Sequence, residues 1–226
     1  VRSLPMKKTD KALIDYLTRD EMNALLAAPD CTTVAGLRDR AMLHLTYAAG
    51  LRVSELLALQ MGDFSDRSLS TVRVLGKGRR ERVLPLWKET QTVLRTWIAV
   101  RPSVQVQELF VNREGRPLSR DGFAHRLAVH VAAAARKKPT LAEKRVTPHV
   151  LRHSCAMHTL EATGDIRKVS LWLGHASLQS TEAYLRVDPA EKLAILAANA
   201  APAVPKGRFR TPDRLLAMLA EIQKTR

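Results

Sequence analysis

The stretch Thr147-Pro148-His149-Val150-Leu151-Arg152-His153 sets the fold of this chain, because it predicts the helix around which the reactive residues gather. Threonine is a preferred N-cap residue and proline fits the first helical position, so a helix is expected to begin at Pro148. His149 and Arg152 are three residues apart and share one face of its first turns. An arginine can hold a phosphate through two parallel donors, and a histidine can donate a hydrogen bond or transfer a proton near neutral pH.

Two more reactive residues follow on short segments downstream. Leu173-Gly174-His175 predicts a helix that breaks at the glycine, with His175 at the break. Ser177 predicts the start of another short helix, which holds Tyr184. A tyrosine hydroxyl becomes a nucleophile once its proton is drawn away. Residues 147–186 therefore gather more reactive groups than any other part of the sequence.

The charge of the chain indicates a polyanionic partner. The 226 residues include 37 Lys and Arg against 22 Asp and Glu, which gives a formal charge of +15 and an isoelectric point near 10.5. Nucleic acid is the commonest partner of so basic a chain. At 46% hydrophobic residues, a chain of this length can also bury a full core, which fits one large domain.

The two cysteines, Cys31 and Cys155, lack metal-ligand spacing and are too few for a disulfide framework. We expect both to be reduced and structural, in a cytoplasmic protein. No apolar run approaches the roughly 20 residues that a membrane span requires, and no signal peptide is visible. No membrane partner is therefore expected.

Helical patterns precede the central stretch. Thr18 and Glu21 form a capping-box pattern that predicts a helix to about Ala28. An apolar stripe predicts a second helix over 37–49. The motif Gly50-Leu51-Arg52-Val53-Ser54-Glu55 follows and predicts a helix that restarts with Arg52 in its first turn.

A basic β-hairpin is predicted next. Alternation from Leu69 to Leu75 predicts one strand, and residues 81–84 predict its partner. The turn between them, Gly76-Lys77-Gly78-Arg79-Arg80, places Lys77 at the tip. Such a lysine can reach a phosphate, and the turn taken by itself fits a solvated hairpin turn equally well.

The remaining patterns complete a fold that is mainly α with one small antiparallel β-hairpin, an α+β class. Helices are predicted over 87–100, 119–135, 148–163 and 166–172, and a short strand over 109–111. A basic loop at 136–139 contains Lys137 and Lys138.

The central helix also contains residues typical of two other kinds of site. His149 and His153 have the four-residue spacing that suits zinc, but Val150 follows His149 and no third ligand is placed nearby. Ser154 and Cys155 lie inside the helix without the glycines of a nucleophile elbow. The sequence therefore predicts no metal site, and no serine or cysteine nucleophile.

Phosphate chemistry uses all the reactive groups together. Cleaving a DNA strand by transesterification needs a nucleophile, donors for the nonbridging oxygens and an acid for the leaving oxygen. Two guanidinium groups with one or two imidazoles can neutralise the transition state without a metal. Arginines around the tyrosine would also favour its phenolate, whose ordinary pKa is about 10.

In these motifs the chain resembles the catalytic domain of the tyrosine recombinases, the phage integrase family, over roughly residues 18–196. Five pieces carry the resemblance: Gly50–Glu55, Gly76–Gly78 on the hairpin, His149–His153, Leu173–His175 and Tyr184. Each piece alone is weak, whereas their order and spacing together are specific.

The resemblance implies a site-specific recombinase or integrase that cleaves and rejoins DNA without metal or cofactor, through a covalent 3′-phosphotyrosine. It implies that Arg52 and Arg152 clamp the phosphate, that His149 and His175 stabilise it and assist proton transfer, that Lys77 protonates the leaving 5′ oxygen, and that Tyr184 attacks. Glu55 would orient its neighbours by hydrogen bonding. The spare positive charge would grip backbone phosphates, at Arg79, Arg80, Lys137 and Lys138.

The resemblance also implies partners. We expect double-stranded DNA, a tetramer of this chain or of it and a related recombinase on two duplexes, and a location on the nucleoid in the cytoplasm. Integration, transposition and dimer resolution stay open, as does delivery of Tyr184 in cis or in trans.

Three segments are expected: an N-terminal arm or linker over 1–17, the catalytic domain over 18–198, and a linker with a C-terminal helix over 199–226 that packs either on a neighbouring subunit or in cis. Such enzymes usually carry an N-terminal helical domain. Since only about 17 residues precede the match and the chain begins with Val1, we expect a piece of a longer protein, with a naturally short family member as the alternative.

Three other functions fit parts of the sequence. A type IB topoisomerase shares the chemistry but relaxes DNA instead of exchanging strands. A DNA-binding module without catalysis would not need the complete set of reactive residues. A basic structural protein would leave the ordered motifs unexplained.

Overall fold

The structure, a computed structural model, describes residues 15–64, 68–76 and 81–174. These residues form helices α1 (Arg19–Leu26), α2 (Val34–Ala48), α3 (Val53–Ala58), α4 (Lys88–Val100), α5 (Arg120–Ala135), α6 (Pro148–Thr163) and α7 (Ile166–Leu173), and strands β1 (Thr71–Leu75) and β2 (Glu81–Pro85). Short 3₁₀ turns occur at Met61–Asp63 and Pro139–Glu143. The predicted fold class, mainly helical with one antiparallel hairpin, is confirmed.

Local signals account for most helix starts. The Thr18 hydroxyl accepts from the backbone N–H of Glu21, and the Glu21 carboxylate accepts from the N–H of Thr18, which is the predicted capping box. Thr147 caps α6 as predicted, and Ser119 caps α5, whose predicted range was 119–135. Helix α2 begins at Val34, three residues before the predicted start, because the Thr33 hydroxyl caps the N–H of Gly36.

The pairing register of β1 and β2 determines which hairpin residues face the core. Val72 lies opposite Leu84 and Val74 opposite Arg82. Val72, Val74 and Leu84 are buried, so Arg82 also lies on the inward face. The first strand begins at Thr71 and not at the predicted Leu69, whose φ of 58° lies outside the strand region.

The predicted strand over 109–111 is wrong. Glu108 and Val111 make only isolated bridges, to Gln60 and Pro117 respectively. The carbonyl of Leu109 instead accepts from two side chains, Trp97 Nε1 and Arg101 Nε, each at 3.1 Å. The backbone bonds of this segment go to two separate neighbours, from the N–H of Leu109 to the carbonyl of Leu59 and from the N–H of Leu118 to the carbonyl of Phe110. Among the described residues, no single partner strand therefore forms a ladder with it.

Helix α2 lies at the centre of the domain and packs against α4, α6, α3 and α1. Its buried residues include Ala41, Met42 and Leu45, all fully shielded from solvent. In the described segments, no helix is both long and apolar enough to cross a bilayer. Helix α2 carries the buried Asp39, and Gly50 lies just beyond its end.

A buried cluster of charged residues joins α2 to α5. The two carboxylate oxygens of Asp39 accept from Arg38 at 2.8 and 3.0 Å, from Arg126 at 2.5 Å and from His130 at 2.8 Å. Arg38 also donates to the carbonyl of Val111. Burial would raise the pKa of Asp39, but these donors outweigh it and lower the pKa, so the carboxylate stays charged.

The contact between Glu21 on α1 and Lys144 makes the stability of the fold depend on pH. Burial alone would raise the pKa of Glu21, but hydrogen bonds from Lys144, Thr140 and the N–H of Thr18 outweigh it and lower the pKa to about 2. A lowered pKa stabilises the folded state above about pH 4.5, and this stabilisation is lost as the pH falls toward 2. We expect the loss to be on the order of 2 kcal/mol, since solvent at Lys144 screens the pair.

Urea unfolding between about pH 6 and about pH 2.5, a range that covers most of the loss, is measured in the wild type and in Glu21→Gln, which lacks the titrating group. The matched control is Glu161→Gln, which removes a more exposed carboxylate facing the same helix through Arg19 at 3.5 Å. Equal acid sensitivity in the wild type and Glu21→Gln would rule out Glu21 as the source.

Candidate active site

Arg52 and Glu55 form the first part of the candidate site, at the start of α3. Arg52 is the N-cap residue, just before the first turn in which it was predicted. Glu55 accepts from the N–H of Arg52 at 3.0 Å and from its Nη1 at 2.8 Å. The Arg52 side chain remains 35% exposed, whereas that of Glu55 is 4% exposed. The carboxylate thus holds Arg52 from the protein side and leaves its outer face accessible.

Arg152 reaches the same place from α6. Its Nη1 donates to the carbonyl of Gly50 and its Nη2 to the carbonyl of Leu173 at 2.9 Å. Nη1 also lies 3.9 Å from Oε2 of Glu55. The side chain is 5% exposed, so the loop after α2 and the end of α7 hold it in one orientation. Two arginines far apart in sequence therefore meet at one carboxylate.

Arg82 is a third arginine at this carboxylate, and it was not among the predicted site residues. Its Nη2 donates to Oε2 of Glu55 at 2.8 Å and its Nη1 to Oε1 at 3.3 Å. The side chain is 10% exposed. Strand alternation could have found it, because Arg82 shares the inward face of β2 with Leu84 and a charged residue there needs a buried partner.

The four side chains make a site with surplus positive charge. Burial would raise the pKa of Glu55, but hydrogen bonds from Arg82 and from the backbone and side chain of Arg52 outweigh it and lower the pKa. Glu55 is therefore ionised, and three guanidinium groups against one carboxylate leave a surplus of two positive charges. Such a site attracts an anion.

His149 lies on the first turn of α6 and is exposed. Its ring is 6.5 Å from that of His153, which is half-buried. Burial, His149 and Arg152 together lower the pKa of His153. Across the residues that the structure describes, no group of three or more His, Cys, Asp or Glu could hold a metal ion.

The neighbouring nucleophile candidates on α6 are engaged in packing. Ser154 donates to the carbonyl of Val150 and accepts from the N–H of Leu17, both at 2.8 Å. Cys155 is buried, and burial raises its pKa to about 11, which keeps the thiol protonated. His158 contacts the hydroxyl of Tyr47 at 2.7 Å, and burial lowers its pKa to about 4. Hydrogen bonds and burial thus hold Ser154, Cys155 and His158 in structural contacts.

Several predicted site residues lie outside the described residues: Lys77, Arg79, Arg80, His175 and Tyr184. The hairpin strands that flank Lys77 are described, as is Gly174, which ends α7 with a φ of 64° and directly precedes His175. In the basic loop, Lys137 is exposed and Lys138 pairs with Asp20 at 3.0 Å.

Gly50 offers a direct test of how the site is held. Its φ is +56°, and a Cβ added there would lie 2.5 Å from Cδ2 of Leu173 and 3.2 Å from Sγ of Cys155. We expect Gly50→Ala to lower the free energy of unfolding by about 2–4 kcal/mol, through backbone strain and overpacking. Because the Gly50 carbonyl accepts from Arg152, the same change should displace that arginine.

Urea unfolding measures the effect of Gly50→Ala, with Gly62→Ala as the matched control. Gly62 has no neighbour within 4 Å of an added Cβ and no positive φ. A loss at Gly50→Ala no larger than that at Gly62→Ala would contradict the close packing of α7 on the loop after α2.

The sequence is similar to those of known proteins. The sequence model of the Phage integrase family matches residues 15–191. The y4rC protein of Sinorhizobium fredii, which carries the name integrase/recombinase, is 41% identical over 219 residues, 97% of this chain and 66% of the relative. Tyrosine recombinase XerD of Staphylococcus aureus is 39% identical over 193 residues, 83% of this chain and 63% of the relative. The chain thus spans a little under two thirds of the length of these relatives.

Solved structures share the fold. The crystal structure of XerA recombinase superposes with a TM-score of 0.72 at 26% identity, covering 84% of this chain and 66% of that one. The structure of XerH recombinase bound to its palindromic difH substrate, a post-cleavage complex, gives a TM-score of 0.72 at 24% identity, with 85% of this chain and 55% of that one covered. At that identity the second likeness concerns the fold alone.

Proposed function

Because this chain belongs to the phage integrase family, we propose that it is a tyrosine-type site-specific DNA recombinase, which cleaves and rejoins DNA strands through a covalent 3′-phosphotyrosine. The observation that carries the proposal is the meeting of Arg52 and Arg152 at one buried carboxylate. The relatives named XerD and XerA recombinase support the same reaction class.

The arginine pair has the charge that phosphoryl transfer requires. Negative charge spreads over the nonbridging oxygens in the transition state, and fixed guanidinium groups neutralise it without rearranging. Arg52 provides an accessible face, and Arg152 is fixed by two backbone carbonyls. His149 lies one turn before Arg152 on α6 and adds a donor for the same anion.

The remaining chemical roles follow the family motif. Tyr184 attacks the phosphorus and releases the 5′ oxygen, Lys77 gives that oxygen its proton, and His175 assists proton transfer. The phosphodiester energy is kept in the protein–DNA bond until a second 5′ hydroxyl attacks it. No external energy source is then needed.

The partner in this proposal is double-stranded DNA, which fits the net charge of +15. The XerH recombinase, which shares the fold, was solved bound to its difH substrate. We further propose a tetramer on two duplexes, formed by this chain or with a related recombinase, and a location on the nucleoid. The exposed Lys137 would contact backbone phosphates, as would Lys138, Arg79 and Arg80.

A covalent trap tests the function. The protein is incubated with nicked duplexes from its own genomic flanks, quenched with detergent and examined for a DNA-shifted band. We expect a band with the wild type and none with Tyr184→Phe, because the phenylalanine lacks the attacking oxygen. Sequencing the trapped DNA would then give the cleavage site.

The outcomes separate the alternatives. A band that persists in Tyr184→Phe would exclude Tyr184 as the nucleophile. Salt-sensitive DNA binding without any band, in a chain extended upstream as well as in this one, would indicate a binding module. Relaxation of supercoiled DNA without sequence requirement would indicate a topoisomerase instead.

A further inference from the structure

We infer that Arg82 is a positioning residue of this site, which occupies two acceptor positions of Glu55 and thereby fixes where Arg52 and Arg152 lie relative to the phosphate. The inference rests on the proposed function, because it assigns a role in the same reaction. The family motifs that identify the site contain Arg52, Glu55 and Arg152, and Arg82 stands outside them.

The hydrogen bonds to Glu55 carry the inference. An ionised carboxylate offers about four acceptor positions. Arg82 takes one position on each oxygen, at 2.8 and 3.3 Å. The backbone N–H and the Nη1 of Arg52 take one more on each oxygen, at 3.0 and 2.8 Å. The carboxylate is then saturated, and Arg152 remains 3.9 Å from it, beyond hydrogen-bonding distance.

Removal of Arg82 would reverse this arrangement. Two acceptor positions on a buried carboxylate would open, and the nearest donors are Arg52 and Arg152. Because a buried unpaired charge is costly, both guanidinium groups would be drawn toward Glu55 and away from an incoming anion. The charge surplus of the site would also fall by one.

The ion pair between Arg82 and Glu55 is buried and does not lie on the surface. Its side chain is nine-tenths buried, and its Nε is shielded without a hydrogen-bond partner among the described residues. A Cβ added at Gly174 would lie 2.9 Å from Cδ of Arg82. Arg82 is therefore fixed between α3 and the end of α7, and it links the hairpin to both.

The test compares four variants with the wild type: Arg82→Gln, Arg82→Lys, Glu55→Gln/Arg82→Gln and the control Arg73→Gln. Arg73 is on the same hairpin, is 54% exposed, and pairs with Asp63 and Glu81 instead of Glu55. The first readout is the single-turnover rate of covalent adduct formation on a nicked duplex. The second is the rise in Tm with inorganic phosphate at matched ionic strength, which does not depend on cleavage.

We expect Arg82→Gln to form the adduct about 100-fold more slowly, because displaced phosphate ligands cost about that much. Arg82→Lys keeps the charge but lacks the planar fork that bonds both oxygens of Glu55, so its rate should lie between that of Arg82→Gln and that of the wild type. The double variant should recover about tenfold over Arg82→Gln, since it removes the carboxylate that captures the arginines. Arg73→Gln should stay within about twofold of the wild type. The phosphate-induced rise in Tm should follow the same order.

A merely structural role gives a different pattern. If Arg82→Gln kept a wild-type rate and a wild-type response to phosphate, or if the double variant were no better than Arg82→Gln, the inference would be overturned. Should Arg82→Gln not fold, equal rates and phosphate responses in Arg82→Lys and the wild type would overturn it. If even the wild type formed no adduct, in a chain extended upstream as well as in this one, the proposed function would fail by itself, and the phosphate response alone would decide the role of Arg82.

Discussion

Replacing Arg152 by lysine is expected to lower the rate of covalent adduct formation by about 1,000-fold or more, the range found when an arginine that neutralises a transferring phosphoryl group is lost. Lysine keeps the charge but lacks the planar fork. Arg152 uses that fork to donate to Gly50 and Leu173 while it faces Glu55 at 3.9 Å. A lysine cannot hold both carbonyls and present a fixed charge to a phosphate.

The same substitution should also reduce stability. Each buried hydrogen bond from a charged group contributes about 1.5–3 kcal/mol, and at least one of the two is lost. At about 2–4 °C per kcal/mol for a chain of this size, the Tm should fall by several degrees. Single-turnover cleavage on a nicked duplex and thermal unfolding measure the two effects separately.

Arg95→Lys is the matched control for this change. Arg95 also donates to a backbone carbonyl, that of Ser68 at 3.2 Å, but lies exposed on α4. Its replacement should leave both cleavage and Tm close to wild type. If Arg152→Lys formed the adduct within about tenfold of the wild-type rate, Arg152 would not be a direct ligand of the phosphate.

Replacing Asp39 by alanine is expected to cost about 3–5 kcal/mol of the free energy of unfolding, the usual penalty for removing one partner of a buried charge pair. The side chain is 1% exposed and holds Arg38, Arg126 and His130. Without it, Arg38 is left with a 9% exposed side chain and a single carbonyl partner, Val111. The contact between α2 and α5 should therefore be the weakest point of the variant.

Urea unfolding near pH 7 measures this loss, with Asp20→Ala as the control. Asp20 pairs with Lys138 at 3.0 Å, but its side chain is 74% exposed. An exposed ion pair contributes at most about 1 kcal/mol, so the control should remain near wild type. If the two variants lost equal stability, the buried cluster would not be a source of stability.

Much of the fold could be predicted because its signals are local. The capping box at Thr18 and Glu21, the Ser119 cap and the Thr147-Pro148 start each depend on residues within one turn, and all three occur in the structure. The predicted strand at 109–111 failed because its backbone groups bond to several separate elements, with the Leu109 N–H donating to Leu59 and the Leu109 carbonyl accepting from two side chains. The pattern of three residues in sequence carries no information about hydrogen-bond partners on distant elements.

The sequence by itself determined which groups are available: the ordered motifs that indicate the family, the surplus of basic residues and the helix that holds His149 and Arg152. Only the tertiary structure decided which charges meet. Arg82 and Glu55 are 27 positions apart, and Asp39 finds Arg126 and His130 on another helix. The physical reason is that a buried charge must be paired, while the identity of its partner depends on how distant elements pack.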